Sequence, residues 1–311
     1  MKIGIVGPGA MGCLFAAYLS KAGADADICL IDNDKERAAK ISQQGILVEG
    51  ISGNWQANVK VTADIQQLGF LDLIIFCVKS YDTKIVAAHI KPLVGVNTLV
   101  LTLQNGIGNI EIISEIIGQD KVIAGVTNLG STLISDGHIR HAGLGETLIG
   151  RLDGKLPAQM RSLREIFNRV GLDARISRDI KSWLWSKLVI NAGINPLSAI
   201  TRLNNGHLVE IETVRKIMRE AVTEALKVIK RKRIKLIFDD PLAKVEAVCE
   251  ATANNVSSML QDVLRSKRTE IDFINGVIVR LGQELGVLVP VNSLLVDLVK
   301  TIETSYRLHL K

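Results

Sequence analysis

Lys187, Asn191 and Asn195 stand four residues apart, so on an α-helix each step drifts by only about 40° and the three side chains share one face. One face is then polar, a candidate catalytic or ligand-binding face. The intervening Leu188, Val189, Ile190 and Ile194 are apolar, which predicts a helix buried apart from one polar stripe, ending near Pro196. Polar groups on such a helix cost free energy unless paired. That favours a ligand, with a capped and satisfied core as the alternative.

A second constellation follows downstream. Asn255, Ser258 and Asp262 fall at i, i+3 and i+7, on one face of a helix, and Thr269-x-x-Asp272 resembles a capping box that starts the next. Spacing alone leaves these open as solvated positions. Lys79 and Asn105 each follow an apolar run, where an open α/β sheet places ligands beyond the carboxyl ends of its strands. Ordinary turn chemistry is the alternative for both.

Gly7-Pro8-Gly9-Ala10-Met11-Gly12 fits G-x-G-x-x-G. The spacing alone is common in a chain with 26 glycines, but here it follows an apolar strand, opens an amphipathic helix, and precedes Asp32 by 20 residues from Gly12. That context points to a dinucleotide. The first glycine permits a tight turn, the second lets the backbone approach a pyrophosphate, and the third lets the helix pack on the strand, with the helix N-terminus aimed at the phosphates. A carboxylate at Asp32 accepts hydrogen bonds from the adenosine ribose of NAD and repels the 2′-phosphate of NADP, so the residue chemistry predicts NAD(H). Lys35 and Arg37 stand close enough to reach a phosphate, or else form a solvated first helical turn.

These residues need elements to hold them. Up to about residue 150, β-branched runs at 3–6, 28–31, 71–78, 98–102 and 122–126 alternate with amphipathic stretches at 11–22, 35–44, 83–90 and 107–117. The pattern is repeated βαβ, and continuous apolar strands suit a parallel sheet covered on both faces. Stretches at 131–134, 138–141 and 146–149, punctuated by Gly137, Gly143 and Gly145, predict hairpins closing this domain, with a helix at 157–170 as its last element. Beyond about residue 177, apolar residues recur at helical spacing over 180–191, 208–231, 241–264, 271–285 and 293–308. The predicted fold is α/β: an N-terminal Rossmann-type doubly wound sheet over residues 1–176, which binds the dinucleotide, and a C-terminal all-α substrate domain over 177–311.

Composition excludes several classes. With 47% apolar and 23% charged residues the chain is no disordered polymer. The net charge of +6 admits anionic small molecules as readily as nucleic acid. Its basic cluster, Lys230-Arg231-Lys232-Arg233 with Lys235, closes a helix and has no interleaved aromatics, so neither nucleic acid nor membrane is an expected partner. Cys13, Cys29, Cys77 and Cys249 fit no C-x-x-C spacing, and His89, His138, His141, His207 and His309 show no ligand spacing. No metal is expected, and a reducing cytoplasm is the expected compartment. No signal peptide is expected before the strand at 3–6, and the uncharged stretch 92–110 is too polar for a span.

Taken together, these residues resemble the ketopantoate reductase (2-dehydropantoate 2-reductase) family, a branch of the 6-phosphogluconate dehydrogenase-like two-domain oxidoreductases. The resemblance runs from Lys2 to about Tyr306. Its most specific parts are Lys187, Asn191 and Asn195-Pro196-Leu197, then Asn205-Gly206, the segment 255–262, and Thr269-Glu270-Ile271-Asp272-Phe273-Ile274-Asn275-Gly276. It implies that Lys187 is the general acid that protonates the substrate C2 oxygen as hydride arrives from the nicotinamide. It implies that Glu270, catalytic and cofactor-binding, helps hold the lysine and substrate, and that Asn191, Asn195, Asn205 and Ser258 bind the hydroxy acid. Asn105 would contact nicotinamide and substrate, with Asn255 and Lys79 in support. Hydride addition builds charge on the ketone oxygen, which suits a positioned ammonium, while the cofactor carries the redox chemistry. The resemblance implies NADP(H), usually read by an arginine near the end of the second strand; Asp32 stands there instead and favours NAD(H).

Reduction of ketopantoate to pantoate, toward coenzyme A, is the leading expectation, in a monomer or homodimer whose partner is a small 2-keto acid. A reductase of another 2-keto or 3-hydroxy acid is the first alternative, because pocket lining tunes specificity by only a few kcal/mol. A non-catalytic dinucleotide sensor is the second. Lys187 together with Glu270 argues against it, since a sensor has no need of an acid and its anchor.

Overall fold

The computed structural model describes residues 1–308; His309 lies outside them. The chain forms two compact units, one of Met1–Gln104 with Asn109–Ile180, the other of Asn105–Gly108 with the described residues from Lys181 onward.

In chain order the first unit holds β1 (Lys2–Val6), α1 (Ala10–Leu19), β2 (Asp27–Ile31), α2 (Lys35–Gln44), β3 (Ile46–Gly50), β4 (Trp55–Ala57), β5 (Lys60–Thr62), β6 (Leu71–Phe76), α3 (Thr83–Ile90), β7 (Val94–Thr102), α4 (Asn109–Ile117), β8 (Val122–Thr127), β9 (Gly130–Ser135), β10 (His138–Gly143), β11 (Thr147–Gly150), α5 (Ala158–Arg169) and β12 (Ala174–Ile176). Eight strands make one sheet in the order β12-β11-β8-β7-β6-β1-β2-β5. From β5 to β8 every pairing is parallel, while β11 runs antiparallel to β8.

Why the strands read as unbroken apolar runs is visible in the two cores. Alternate residues point to opposite faces. Ile3, Ile5, Leu73, Ile75, Leu99 and Leu101 pack on one side with Phe15 of α1 and Phe167 of α5. Val6, Ile74, Phe76 and Val100 pack on the other with Ala87 and Ile90 of α3 and Ile113 of α4. Each such side chain, fully buried, stabilises the fold by about 1.5–3 kcal/mol relative to exposure.

The predicted hairpins resolve differently from expectation. The β9–β10 hairpin, whose second strand carries His138 and His141, belongs to a separate sheet in the order β4-β3-β10-β9, with β3 parallel to β10. The stretch 146–149 joins the main sheet as β11 instead. β3, β4, β5 and β12 escape the sequence reading because they are three to five residues long and only partly buried, too short to establish a period.

The second unit carries α6 (Ile180–Thr201), α7 (His207–Glu210), α8 (Glu212–Arg231), α9 (Pro241–Ala251), α10 (Ser258–Leu264), α11 (Asn275–Leu285) and α12 (Pro290–Ser305). Its described residues contain helices and no strand. Five expectations need correction. α6 runs on through Pro196 rather than ending there. The stretch 208–231 breaks at Ile211, whose backbone is extended, and 241–264 breaks between Ala251 and Ser258. A 3-10 turn, Ile271–Phe273, precedes α11 because Ile274 leaves helical geometry at φ −109°, ψ −91°. α12 starts at Pro290, whose missing N–H costs nothing in a first helical turn. Apolar periodicity survived across the breaks because the pieces share one core.

Candidate active site

The glycine turn after β1 has the geometry a phosphate would need. Gly7 takes φ +103° and donates its N–H to the Ile31 carbonyl at 3.0 Å, which turns the chain sharply out of the sheet. A Cβ on Gly12 would lie 1.9 Å from the Gly7 carbonyl oxygen, so only glycine lets α1 sit this close. At Gly9, the N-cap of α1, a Cβ would meet nothing within 4 Å, and no side chain caps the helix. The first N–H groups of a ten-residue helix thus border open space, which fits a pyrophosphate. Cys77 donates its N–H to the Val6 carbonyl at 2.9 Å, so this turn stands where the strand order reverses between β1 and β6, the crevice such sheets use for dinucleotides.

Asp32 follows β2 and is 4% exposed. Its Oδ1 accepts the N–H groups of Asn33 at 2.7 Å and Asp34 at 3.1 Å. Arg37 closes on the same carboxylate, Nε to Oδ2 at 2.7 Å and Nη2 to Oδ1 at 2.5 Å. Arg37 is therefore no solvated helical turn; the carboxylate holds its guanidinium and raises its pKa. Asp34 caps α2 by accepting from Glu36 and Arg37 N–H groups, which aims the first turn, and Arg37 with it, at Asp32.

A polar lattice fixes the loops that follow β6 and β7. Thr83 Oγ1 donates to Asn109 Oδ1 at 2.8 Å, Asn109 Nδ2 to Ser80 Oγ at 3.0 Å, and Gln104 Nε2 to the Val78 carbonyl at 3.0 Å and Thr83 Oγ1 at 2.7 Å. Ser80, Thr83 and Asn109 are almost fully buried. Lys79 sits inside this frame, extended at φ −63°, ψ 145° before a 3-10 turn. Sequence reasoning passed over Ser80, Thr83 and Asn109; hydroxyls and an amide at the starts of two adjacent predicted helices were the available signal.

In the second unit α6 carries Lys187, Asn191 and Asn195. Lys187 is half-buried, and desolvation pushes its ammonium down to about 8, against the pull of the Glu270 carboxylate, which raises it. Glu270 is 6% exposed at the head of the 3-10 turn and accepts the Phe273 N–H on its carbonyl at 3.0 Å. Asn105 belongs to this unit too. Close beyond it, Gly106 takes φ +84° and Ile107 donates its N–H to the Phe273 carbonyl at 2.9 Å.

Asn205 and Asn255 come together through the backbone: Asn205 N–H donates to the Asn255 carbonyl at 3.1 Å. The Asn205 side chain donates to Thr252 Oγ1 at 2.9 Å, while its buried Oδ1 accepts nothing among the described residues. That acceptor suits a ligand hydroxyl. Asn255 lies in the break before α10 and does not share a helix face with Ser258 and Asp262, because Ser257 caps α10, accepting from the Leu260 N–H at 3.1 Å. Ser258 is exposed and Asp262 buried. Nor does Thr269 form a capping box: its Oγ1 accepts from the Ile271 N–H at 3.2 Å, two residues on, and Asp272 pairs with Lys300 at 2.6 Å.

Residues 3–154 match the family described as Ketopantoate reductase PanE/ApbA, and residues 179–303 match Ketopantoate reductase PanE/ApbA C terminal. The chain belongs to the ketopantoate reductase family. Within it, a 2-dehydropantoate 2-reductase of Pyrococcus horikoshii is 38% identical over 305 residues, covering 98% of each chain. One of Aquifex aeolicus is 36% identical over 310 residues, covering 97% of each. A solved ketopantoate reductase of Ralstonia eutropha shares the fold with TM-score 0.90 and 36% identity, over 99% of this chain and 100% of that one. D-mandelate dehydrogenase, solved with NADH and anilino(oxo)acetate, gives TM-score 0.90 at 29% identity over 98% and 99%.

This ketopantoate reductase family member is thus an oxidoreductase with a nicotinamide dinucleotide fold. An ammonium whose pKa falls to about 8 gives up a proton more readily than an ordinary lysine, yet stays largely charged at neutral pH. Glu270 keeps it so. Among the described residues no three His, Cys, Asp or Glu side chains gather as a metal site, and no helix is long and apolar enough to cross a membrane.

Proposed function

We propose that this protein is a 2-dehydropantoate 2-reductase that reduces the C2 ketone of ketopantoate to the alcohol of pantoate with NADH. The observation that carries the reading is the half-buried Lys187, shifted to about 8 and opposed by Glu270, on one helix with Asn191 and Asn195. The residues of 1–176 bind the dinucleotide through Gly7, Pro8, Gly9, Ala10, Met11, Gly12, Asp32 and Lys79; those of 177–311 hold the substrate. Bound, the reduced nicotinamide supplies the hydride to C2. Lys187 hydrogen-bonds the ketone oxygen, stabilises the charge that builds there and delivers the proton, so that ketone, hydride and proton become the alcohol. Glu270 holds the lysine and its charge. Asn191, Asn195, Asn205 and Ser258 orient the carboxylate and hydroxyl, Asn105 contacts substrate and nicotinamide, and Asn255 supports them.

NADH is favoured because Asp32 Oδ2, which accepts one bond from Arg37 Nε, keeps a lone pair for the ribose, and the carboxylate would repel a 2′-phosphate. Four free cysteines suit a reducing cytoplasm, and the working form is a monomer or homodimer. A second reading, a reductase of another 2-keto acid, draws support from D-mandelate dehydrogenase, a neighbour solved with an oxoacetate. Following nicotinamide absorbance with a panel of 2-keto acids decides between them: the highest kcat/KM belongs to ketopantoate, and turnover on none of them overturns the proposal.

A further inference from the structure

Pro196 lies inside α6 and has no N–H. The carbonyl four residues earlier, that of Ala192, therefore loses its helical donor at a fully buried position, and an orphaned buried carbonyl is costly. Asn275 Nδ2 donates to the Ala192 carbonyl at 3.0 Å, from 83 residues away in the chain. The same amide donates to Asn292 Oδ1 at 3.0 Å. Asn292 in turn donates to the Ala221 carbonyl at 2.9 Å and Glu224 Oε2 at 2.8 Å. Glu224 also accepts the Val291 and Asn292 N–H groups at 2.9 Å each, at the start of α12.

This chain of bonds permits one orientation. Both partners of the Asn292 amide nitrogen are acceptors, so Asn292 turns its oxygen to Asn275, and Asn275 must offer protons to two oxygens at once. Asn275 and Asn292 are fully buried, and no solvent relieves a wrong turn. The bonds tie the defect in α6 to α8, α11 and α12.

The defective turn is the one that matters for the polar stripe. Ala192 follows Asn191 directly and Pro196 follows Asn195 directly, so the turn with the missing bond sets the separation of the two carboxamides and their relation to Lys187. We propose that Asn275 is a positioning residue that replaces the donor Pro196 lacks and so holds Asn191 and Asn195 in register for the substrate. This deepens the reductase reading and rests on it.

The test uses Asn275→Ala, Asn275→Asp, Pro196→Ala and the Asn275→Ala/Pro196→Ala double variant. Asn275→Ala raises KM for the 2-keto acid about tenfold or more while kcat and dinucleotide Kd change less than about threefold. Asn275→Asp is worse than alanine, because a carboxylate would face two carbonyl oxygens. With alanine at 196 the Ala192 carbonyl regains a donor inside the helix, so removing Asn275 lowers Tm by less in that background than in the wild type. The double variant thereby provides a folded protein if Asn275→Ala alone does not fold. An unchanged KM in a folded Asn275→Ala enzyme overturns the role, as do equal Tm losses in both backgrounds or parallel losses of kcat, KM and cofactor affinity. Wild-type protein that turns over no 2-keto acid overturns the reductase reading instead, and the Tm comparison still decides the Asn275–Ala192 link.

Discussion

The Arg37 guanidinium forks onto the Asp32 carboxylate, Nε on Oδ2 at 2.7 Å and Nη2 on Oδ1 at 2.5 Å, beside the end of β2. The pair sets a cation and an anion at the place where, on the proposed reading, a dinucleotide's ribose would be read, and the carboxylate holds the cation. Replacing Asp32 with serine removes the repulsion and frees Arg37 for a 2′-phosphate. The ratio of kcat/KM for NADPH over NADH should then rise at least about tenfold, roughly 1.4 kcal/mol. A ratio equal to that of the wild type would show that neither residue reads the ribose.

Lys187 as general acid must be protonated to work. With its pKa at about 8, kcat/KM for keto acid reduction holds steady through neutral pH and falls as pH rises past that value. Lys187→Ala loses about 100-fold or more in kcat and binds the dinucleotide nearly as before. Retention of the alkaline limb in that variant would move the role to another group.

The same shift makes a stability statement. A lysine at about 8 in the fold and 10.5 in the unfolded chain leaves the unfolded state with more protons between those values, so this group's contribution to stability rises with pH across that window. Below it, the desolvated ammonium is a standing cost. Urea unfolding of wild type and Lys187→Met at pH 7 and pH 10 should show the variant's relative stability falling at the higher pH by on the order of 1–3 kcal/mol. A pH-independent difference would count against the desolvated charge.

Two glycines of one motif separate folding from binding. A Cβ at Gly12 collides with the Gly7 carbonyl oxygen at 1.9 Å, whereas one at Gly9 meets open space. Gly12→Ala should cost about 1–3 kcal/mol by forcing α1 away from β1. Gly9→Ala should leave Tm nearly unchanged and weaken dinucleotide binding about tenfold, because the methyl enters the space left for the pyrophosphate. Calorimetry with dye-free titration of the dinucleotide checks both, and unimpaired binding by Gly9→Ala would remove the phosphates from that cradle.

Much of the fold was legible because its signals are local. The spans of α2 and α3 match their predicted limits residue for residue, since amphipathic spacing and a cap such as Asp34 act within a few residues. Helix breaks at Ile211 and between Ala251 and Ser258 were not legible, because the flanking pieces bury their apolar faces in one core and keep a common rhythm. Asn255 was placed on the wrong element for that reason. The lattice of Ser80, Thr83, Gln104 and Asn109 went unseen as well: each bond joins loops that meet only after β6 and β7 pair.

By itself the sequence determined the βαβ alternation, the glycine turn with its following acid, and the single face shared by Lys187, Asn191 and Asn195, because each depends on backbone geometry over one or two turns. Only the tertiary structure decided that Arg37 spends its charge on Asp32, that α6 continues through Pro196, and that Asn275 supplies the missing donor. Such partners are chosen by which buried groups would otherwise go unpaired, and that choice exists only once distant segments have been packed together.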